Sequence, residues 1–415
     1  MIAHFASELS GGANIAARRL HEALRKSGVE SYFFHGTGIP PDKSYISLFE
    51  NKSFIRRNQA ALATSWRSRM GCSEGFVTSP RWIRKTPIQE SGKYPAIVNL
   101  HWVARWLDLP SFFASLPDNI PVVWSLHDLI PITGGCHYPG ECDGFMKQCG
   151  DCPQQRYPHA FDASRTFFNI KKDWYDRINL HFVANSRWTA AQTNRSALGK
   201  LAKSVHVIHY GLDVQQYIPV DRTIAKAALK IPEGKFVIGF SCSDFHEKRK
   251  GAHLLLEALK DLPSDNVMLL VLGGGNWPRD QGRFETISLG SLNTPRLQSI
   301  FYSALDVFAA PSKVETFGNV AMEAMACATP VVAYSAGGLA DVLVNGETGL
   351  VEPECGNIKK FAAMLKWMSQ HSSERILMGR AARERVLMKF TDTRMASEYQ
   401  KLYYDISKAT ALEKE

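Results

Sequence analysis

What this 415-residue chain lacks narrows its class first. No apolar run approaches eighteen residues, so no membrane-spanning helix is expected. The opening Met-Ile-Ala-His-Phe-Ala has neither a basic leader nor a long apolar core. No secretory signal is therefore expected, and the reading is cytoplasmic. There is no low-complexity segment and no short internal repeat, which sets aside tails and solenoids. No serine, cysteine or aspartate stands out as an activated nucleophile beside a partnered base. Acid is scarce in the first half. Residues 1–212 carry 25 Lys and Arg against 16 Asp and Glu, whereas the remainder carries 24 of each, so the net charge of +9 belongs to the first half.

What is present is a globular composition, 45% hydrophobic and 21% charged, long enough for two domains. Much of the basic surplus lies in residues 54–85, where Arg56, Arg57, Arg67, Arg69, Arg81, Arg84 and Lys85 face a single acid, Glu74. Trp66, Phe76 and Trp82 are interleaved. Such a surface suits an anionic membrane face or a phosphate-bearing acceptor. Nucleic acid, or a solvated basic surface with no partner, are the alternatives.

Residues 2–6 predict a buried strand, followed by Ser10-Gly11-Gly12 and a helix from residue 13 that Gly28 ends. Glycine lets such a turn approach phosphate closely. It is not the dinucleotide fingerprint: the third glycine is missing, and the next strand, 31–35, ends in His-Gly rather than an acid. Apolar runs predict further strands over 96–101 and 122–126, ending at His101 and His127-Asp128. Ligands of open α/β sheets bind beyond the carboxyl ends of strands, which makes His127 a site candidate and His101 a candidate for the acceptor side. A histidine paired inside the core is the plain alternative. A helix over 169–178, a strand over 180–185 and a helix opening at Ser186 complete this half, with a boundary near residue 209.

Between these lies a cysteine cluster. Cys136, Cys142, Cys149 and Cys152 put half of the chain's eight cysteines within seventeen residues. Cys149-Gly-Asp-Cys152 is a knuckle-type pair, and four thiolates close a tetrahedral zinc site in a Gly- and Pro-rich loop that has no core of its own. Reduced or disulfide-linked cysteines are the alternatives, the latter disfavoured by a reducing cytoplasm. A site closed by four cysteines has no open position, so the zinc is read as structural.

The second half restarts with a strand over 236–240, then Arg249 and Lys250 before a helix over 252–262, well placed to neutralise a diphosphate. Strands follow over 267–272, 287–290, 307–310 and 331–334, and a last helix over 394–407. The richest stretch is residues 310–330. There Glu315-Thr-Phe317-Gly318-Asn319 forms a tight loop at a helix N-terminus, with Glu323 inside the helix and seven residues between the glutamates. A helix N-terminus offers N–H groups and positive charge to an anion, and carboxylates on either side accept from hydroxyls. A nucleoside diphosphate sugar has that layout. An amphipathic core helix with solvated glutamates is the plain alternative.

The segment 310–330 resembles the E-x7-E motif of retaining glycosyltransferases of family 4. The resemblance implies an α/β GT-B fold: two Rossmann-like α/β/α domains facing across a cleft, 1–209 on the acceptor side with a Cys-rich insert at 134–158, and 210–390 binding the nucleotide sugar. It further implies a helix over 391–415 crossing back to the first domain. It assigns the donor sugar to Glu315 and His127, the ribose to Glu323, and the phosphates to Gly11, Gly12 and Lys250. The loop with Gly290 would meet the base, and Phe317, Gly318 and Asn319 belong to the donor loop. The family's Arg just after the first strand is absent, with Ser243 and Asp244 in that region, and Arg249 is read as its substitute. His209-Tyr-Gly-Leu-Asp213 resembles the interdomain segment. The insert opening with Thr-Gly-Gly-Cys-His-Tyr resembles the branch that includes colanic-acid and related surface-polysaccharide transferases.

The implied chemistry is front-face transfer with retention, catalysed by Glu315, Lys250 and His127 without a catalytic metal. The expected donor is a nucleoside diphosphate sugar. The expected acceptor is a lipid-linked or oligosaccharide glycan, on the inner face of the cytoplasmic membrane; no nucleic acid is expected. Another GT-B enzyme on nucleotide sugars, an epimerase or small-acceptor synthase, is the first alternative, and a zinc-containing RNA-binding module the second.

Overall fold

The computed structural model describes residues 1–47, 95–263, 265–278, 283–292 and 294–412, so the basic, aromatic stretch 54–85 lies outside the described residues. The chain divides into two compact units, Met1–His209 with Met395–Glu415, and Tyr210–Arg394.

The first unit runs β1 (Ile2–Glu8), α1 (Gly12–Lys26), β2 (Ser31–Thr37), β3 (Tyr45–Ser47), β4 (Ile97–Leu100), α2 (Leu109–Ala114), β5 (Pro121–Leu126), α3 (Ala163–Tyr175), β6 (Asn179–Ala184), α4 (Arg187–Arg195) and β7 (Ser204–Val207). Its seven strands form one parallel sheet in the order β3-β2-β1-β4-β5-β6-β7. Every residue of β4, β5 and β6 is buried, as a parallel sheet covered on both faces requires. Helix α3 starts at Ala163 rather than 169, because the Asp162 side chain accepts from the Ser164 and Arg165 N–H groups and caps the helix there.

The second unit continues with α5 (Arg222–Ala228), β8 (Phe236–Cys242), α6 (Ala252–Leu259), β9 (Val267–Gly273), β10 (Glu285–Ser288), α7 (Pro295–Ser303), β11 (Val307–Ala310), α8 (Asn319–Ala326), β12 (Val331–Tyr334), α9 (Leu339–Val342), β13 (Gly349–Glu352), α10 (Ile358–Gln370) and α11 (Ser372–Lys389). Its six strands are again parallel, in the order β10-β9-β8-β11-β12-β13. β10 begins two residues before the predicted 287–290 and ends at Ser288, so Gly290 lies beyond the strand. The last helix, α12 (Asp392–Leu412), belongs to the first unit from Met395 onward. There Met395, Tyr399, Leu402, Tyr403 and Ile406 join Ile2, Leu24, Ile97 and Val183 in one apolar cluster. Asn99 Nδ2 donates to Tyr403 Oη at 2.7 Å, fixing the helix against the sheet.

Both sheets reverse direction of growth at one place, between β1 and β4 and between β8 and β11. Such switch points open a crevice beyond the strand ends, where ligands of this architecture bind.

Candidate functional site

At the second unit's switch point, two loops leave the ends of β8 and β11. They approach closely: Lys313 N–H donates to the Arg249 carbonyl at 2.9 Å. Gly251 has φ +78°, and a Cβ there would stand 2.2 Å from the Pro311 oxygen. Gly318, at φ +113°, would put a Cβ 2.4 Å from a Leu339 methyl carbon. These two glycines precede α6 and α8, and neither helix start carries a side-chain cap. Two positive helix ends therefore stand beside the same pair of loops.

Into this place the chain brings Lys250, Arg249 and Glu315. Glu315 is 7% exposed. Its Oε1 accepts from Lys250 Nζ at 2.7 Å and Ser312 Oγ at 2.9 Å, and its Oε2 lies 3.4 Å from an Arg249 guanidinium nitrogen. Burial by itself would raise the Glu315 carboxyl. Lys250, Arg249 and the Ser312 hydroxyl outweigh it and hold the group below the ordinary carboxylate range. Arg249 also donates to Glu247 and to the Val314 carbonyl, which locks its fork between the loops. A cavity of about 10 Å³, room for one water, is lined by Ser241, Ser312, Glu315 and Gly318 among others.

The remaining residues of the motif divide. Asn319 is the first residue of α8, and its Oδ1 is enclosed with no hydrogen-bond partner among the described residues. Glu323 is buried, but it enters a different network from Glu315: it accepts from Tyr302 Oη at 2.9 Å. Phe317 is buried with its ring edge-on to Tyr210 and Phe390, so its side chain packs the core instead of lining the loop. Gly290 turns the chain after β10 at φ +63° and is exposed. A cavity of about 520 Å³ near it is lined by His246, Gly275, Asn276, Trp277, Pro278 and Ser288. The Trp277 Nε1–H there has no partner among the described residues. Sequence reasoning did not single out Ser312, Tyr302, His246 or Trp277; a hydroxyl or indole carries no signal until the topology shows what it faces.

In the first unit, Gly11 and Gly12 open α1, exposed and without a side-chain cap, with Gly11 at φ +82°. His127 follows β5 and is partly exposed. Its Nε2 lies 2.9 Å from His101 Nδ1, and His101 Nε2 lies 2.9 Å from His4 Nδ1. Burial lowers His4 and His101 well below the usual imidazole value and His127 to about 4, so all three rings are neutral. Asp128 orients the neighbouring loop. It accepts from His137 Nδ1 at 2.7 Å, Trp102 Nε1 at 3.0 Å and the Ile130 N–H at 2.9 Å.

Cys136, Cys142, Cys149 and Cys152 line one small cavity of about 20 Å³, and none is disulfide-bonded. Gly134 N–H donates to Cys149 Sγ at 3.2 Å. Burial pushes the Cys136 and Cys149 thiols up, to about 12 and about 11. Among the described residues no group of three or more His, Cys, Asp or Glu side chains is arranged to hold a metal ion, so the tetrahedral arrangement expected of these cysteines is not seen. Lys171, buried and lowered by that burial to about 8, donates to the Ile130 and Thr133 carbonyls and anchors the start of the insert. Among the described residues no helix is long and apolar enough to cross a membrane.

Two parallel Rossmann-like sheets, each with its crevice at the strand reversal, define a class. A sucrose-phosphate synthase from Thermosynechococcus elongatus has the same fold, with TM-score 0.69 and 21% identity over 98% of this chain and 99% of that one. Anabaena HepE, solved in complex with UDP-glucose, matches with TM-score 0.63 and 17% identity over 97% and 99%. The fold is that of the GT-B glycosyltransferases.

Residues 221–385 match the family Glycosyl transferases group 1. A D-inositol 3-phosphate glycosyltransferase of Arthrobacter sp. (strain FB24) is 33% identical over 401 residues, 90% of this chain and 85% of that protein. The capsular polysaccharide biosynthesis glycosyltransferase CapM of Staphylococcus aureus is 32% identical over 184 residues, 42% of this chain and 47% of that protein. Other D-inositol 3-phosphate glycosyltransferases match over 58–61% of their own length. The chain belongs to the group 1 glycosyltransferases, and it is a glycosyltransferase.

Proposed function

We propose that this enzyme is a retaining family 4 glycosyltransferase that moves a sugar from a nucleoside diphosphate sugar to a glycan acceptor. The observation that carries the reading is the Lys250–Glu315–Arg249 cluster, at the switch point and beside two uncapped helix N-termini. Lys250, Arg249 and the N–H groups at Gly318 and Asn319 meet the diphosphate as charge develops on it. Glu315 and His127 hold the donor sugar, Glu323 the ribose, and Gly11 and Gly12 approach the phosphates. The base lies by Gly290, where the Trp277 indole waits for an acceptor. The leaving diphosphate takes the acceptor proton, and the protein's own cations supply the positive charge.

The acceptor in this reading is lipid-linked and belongs to surface-polysaccharide synthesis: exopolysaccharide, capsule or lipopolysaccharide, in the colanic-acid-like branch. The capsular relative and the basic, aromatic composition of residues 54–85 support it. The enzyme then works on the cytoplasmic face of the membrane, bound peripherally. The test is a binding and hydrolysis screen against UDP-, GDP- and ADP-sugars, with co-sedimentation on anionic vesicles beside it. One donor turned over and salt-sensitive vesicle binding are expected. A protein that binds none of the donors overturns the reading, and turnover without vesicle binding moves the acceptor to a small soluble molecule.

A structural zinc at Cys136, Cys142, Cys149 and Cys152 is part of the proposal, supported by the one cavity that all four border. The purified protein is expected to carry about one zinc per chain, and Cys152→Ser to lose it together with several degrees of Tm. Metal-free protein with all four thiols open to titration and an unchanged Tm on chelation would remove the zinc.

A further inference from the structure

The cysteine-rich insert reaches the first unit's strand ends through His137, which follows Cys136 directly. Its carbonyl accepts from the Leu129 N–H at 3.0 Å, and its Nδ1 lies 2.7 Å from Asp128 Oδ2. The same carboxylate oxygen accepts from Trp102 Nε1 at 3.0 Å, and Oδ1 accepts from the Ile130 N–H at 2.9 Å. Trp102 and Asp128 stand just beyond the ends of β4 and β5. Ser7, in β1, donates its N–H to the Trp102 carbonyl at 2.8 Å. The cluster therefore sits at the reversal between β1 and β4, where a ligand of such a sheet binds.

A carboxylate only accepts, so Asp128 fixes the proton of the neutral imidazole on Nδ1. Nε2 then carries a lone pair, and it has no partner among the described residues. The His137 side chain is 27% exposed against 9% for Asp128, so the imidazole stands in front and the carboxylate behind it. The half-buried Trp102 ring lies nearly parallel to the imidazole, at 14° with centroids 6.1 Å apart. So wide an offset leaves part of each ring face uncovered by the other.

Two flat rings, one acceptor nitrogen and a carboxylate behind them disfavour an anion and suit a neutral polyol. A phosphate would meet a lone pair in front and the Asp128 charge behind it. A pyranose offers both complements. Its C–H faces lie against aromatic faces, which are the negative side of the ring quadrupole, and its rim of hydroxyls donates.

We propose that Trp102 and His137 form a subsite for a sugar of the acceptor, in which His137 Nε2 takes a hydrogen bond from a hydroxyl. Asp128 is the positioning residue that presents this nitrogen. The assignment rests on the reading of the first unit as the acceptor side. It gives the insert a task besides holding itself together: the loop delivers an imidazole to the crevice.

The experiment uses the full-length protein, with the methyl glycosides of glucose, galactose and mannose as probes. Ring nitrogen-15 spectra at neutral pH are expected to show the His137 proton on Nδ1, and the Nε2 signal to shift as one of the glycosides is added. A proton on Nε2 overturns the proposal, and so does a signal that none of the three glycosides moves. In Asp128→Ala the Nδ1–H preference is expected to disappear; if it stays, Asp128 is not the positioning residue.

Two variants separate contact from folding. His137→Asn still donates to Asp128 from the Nδ1 position but ends short of Nε2, whereas His137→Phe keeps a ring beside Trp102 without either nitrogen. Both are expected to bind the responsive glycoside about tenfold more weakly, the scale of one lost hydrogen bond, and the Asn variant to melt like the wild type. Wild-type affinity in the Asn variant overturns the subsite. UDP, GDP and ADP, added one at a time, separate the underlying reading. If none of them raises Tm, the donor reading falls and the glycoside titrations still decide the subsite. If one does while no His137 variant weakens glycoside binding, the subsite falls and the donor reading stands.

Discussion

Replacing Glu315 with alanine is expected to reduce sugar transfer by roughly 10²–10³-fold, the range found when one preorganised charge-stabilising group is removed. It is also expected to cost about 3 kcal/mol of stability, the lower end for breaking a buried pair. The carboxylate is nearly enclosed and holds Lys250 at 2.7 Å while facing Arg249 at 3.4 Å. Without it, two cations stand together on adjacent residues, and Glu247 holds Arg249 but is not seen to pair with Lys250 among the described residues. A merely structural salt bridge makes the same stability prediction, so a second measurement is needed. In the wild type a bound diphosphate competes with Glu315 for the two cations; in Glu315→Ala it is their main counter-ion. The nucleoside diphosphate of the correct base is therefore expected to raise Tm more in the variant than in the wild type, even though turnover is lost. Equal ligand shifts, or wild-type turnover, would sink the assignment.

Much of this site was legible by residue type and little of it by contact. The strands at 307–310 and 331–334 were readable to the residue, because short runs of Val, Phe, Ala and Tyr between breakers are what a strand buried on both faces looks like. The edge strand β10 was displaced, since its residues are partly exposed and its apolar run is weak. Helix α3 was misplaced because its start is set by one capping aspartate instead of by apolar periodicity. Lys250 and Glu315 were each recognisable beside a helix N-terminus. Their pairing was not, because it depends on β8 and β11 being neighbours in the sheet although far apart in sequence. His4 was invisible altogether: a histidine inside a buried strand looks like any core residue until its ring is seen 2.9 Å from another. Phe317 shows a different limit: it stands in the motif, and its side chain is buried against aromatic rings that the motif does not announce.

The first unit is expected to lose stability steeply as pH falls below 6.5, well before its carboxylates titrate. His4, His21 and His101 are almost fully buried, and burial lowers each of them: His4 and His101 far below 6.5, His21 to about 3. Around His21, Arg25 and Arg18 add to the lowering and Asp42 opposes it; around His101, the rings of His127, His4 and His21 add to it. The sign follows from proton counting. Below 6.5 the unfolded chain binds a proton at each of these histidines and the folded unit does not, so the unfolded state gains and stability falls with pH. Above 6.5 neither state binds the protons, and the full stability is present. Three such groups give a limiting slope of about 4 kcal/mol per pH unit, which a marginally stable domain survives for only one or two units. Glu315 in the second unit acts in a lower window. Its depressed carboxyl contributes stability above the unfolded value of 4.5 that is lost only as pH falls through the folded one. Acid unfolding is therefore expected in two steps, the first unit yielding between pH 6 and 5 by about those values and the second below them. Urea titrations followed by hydrogen exchange in each unit, from pH 8 down to 4, read this directly. A first unit equally stable at pH 7 and pH 5 would show that these rings are solvated or charged in the native protein, and with them would go the neutral chain that holds His127.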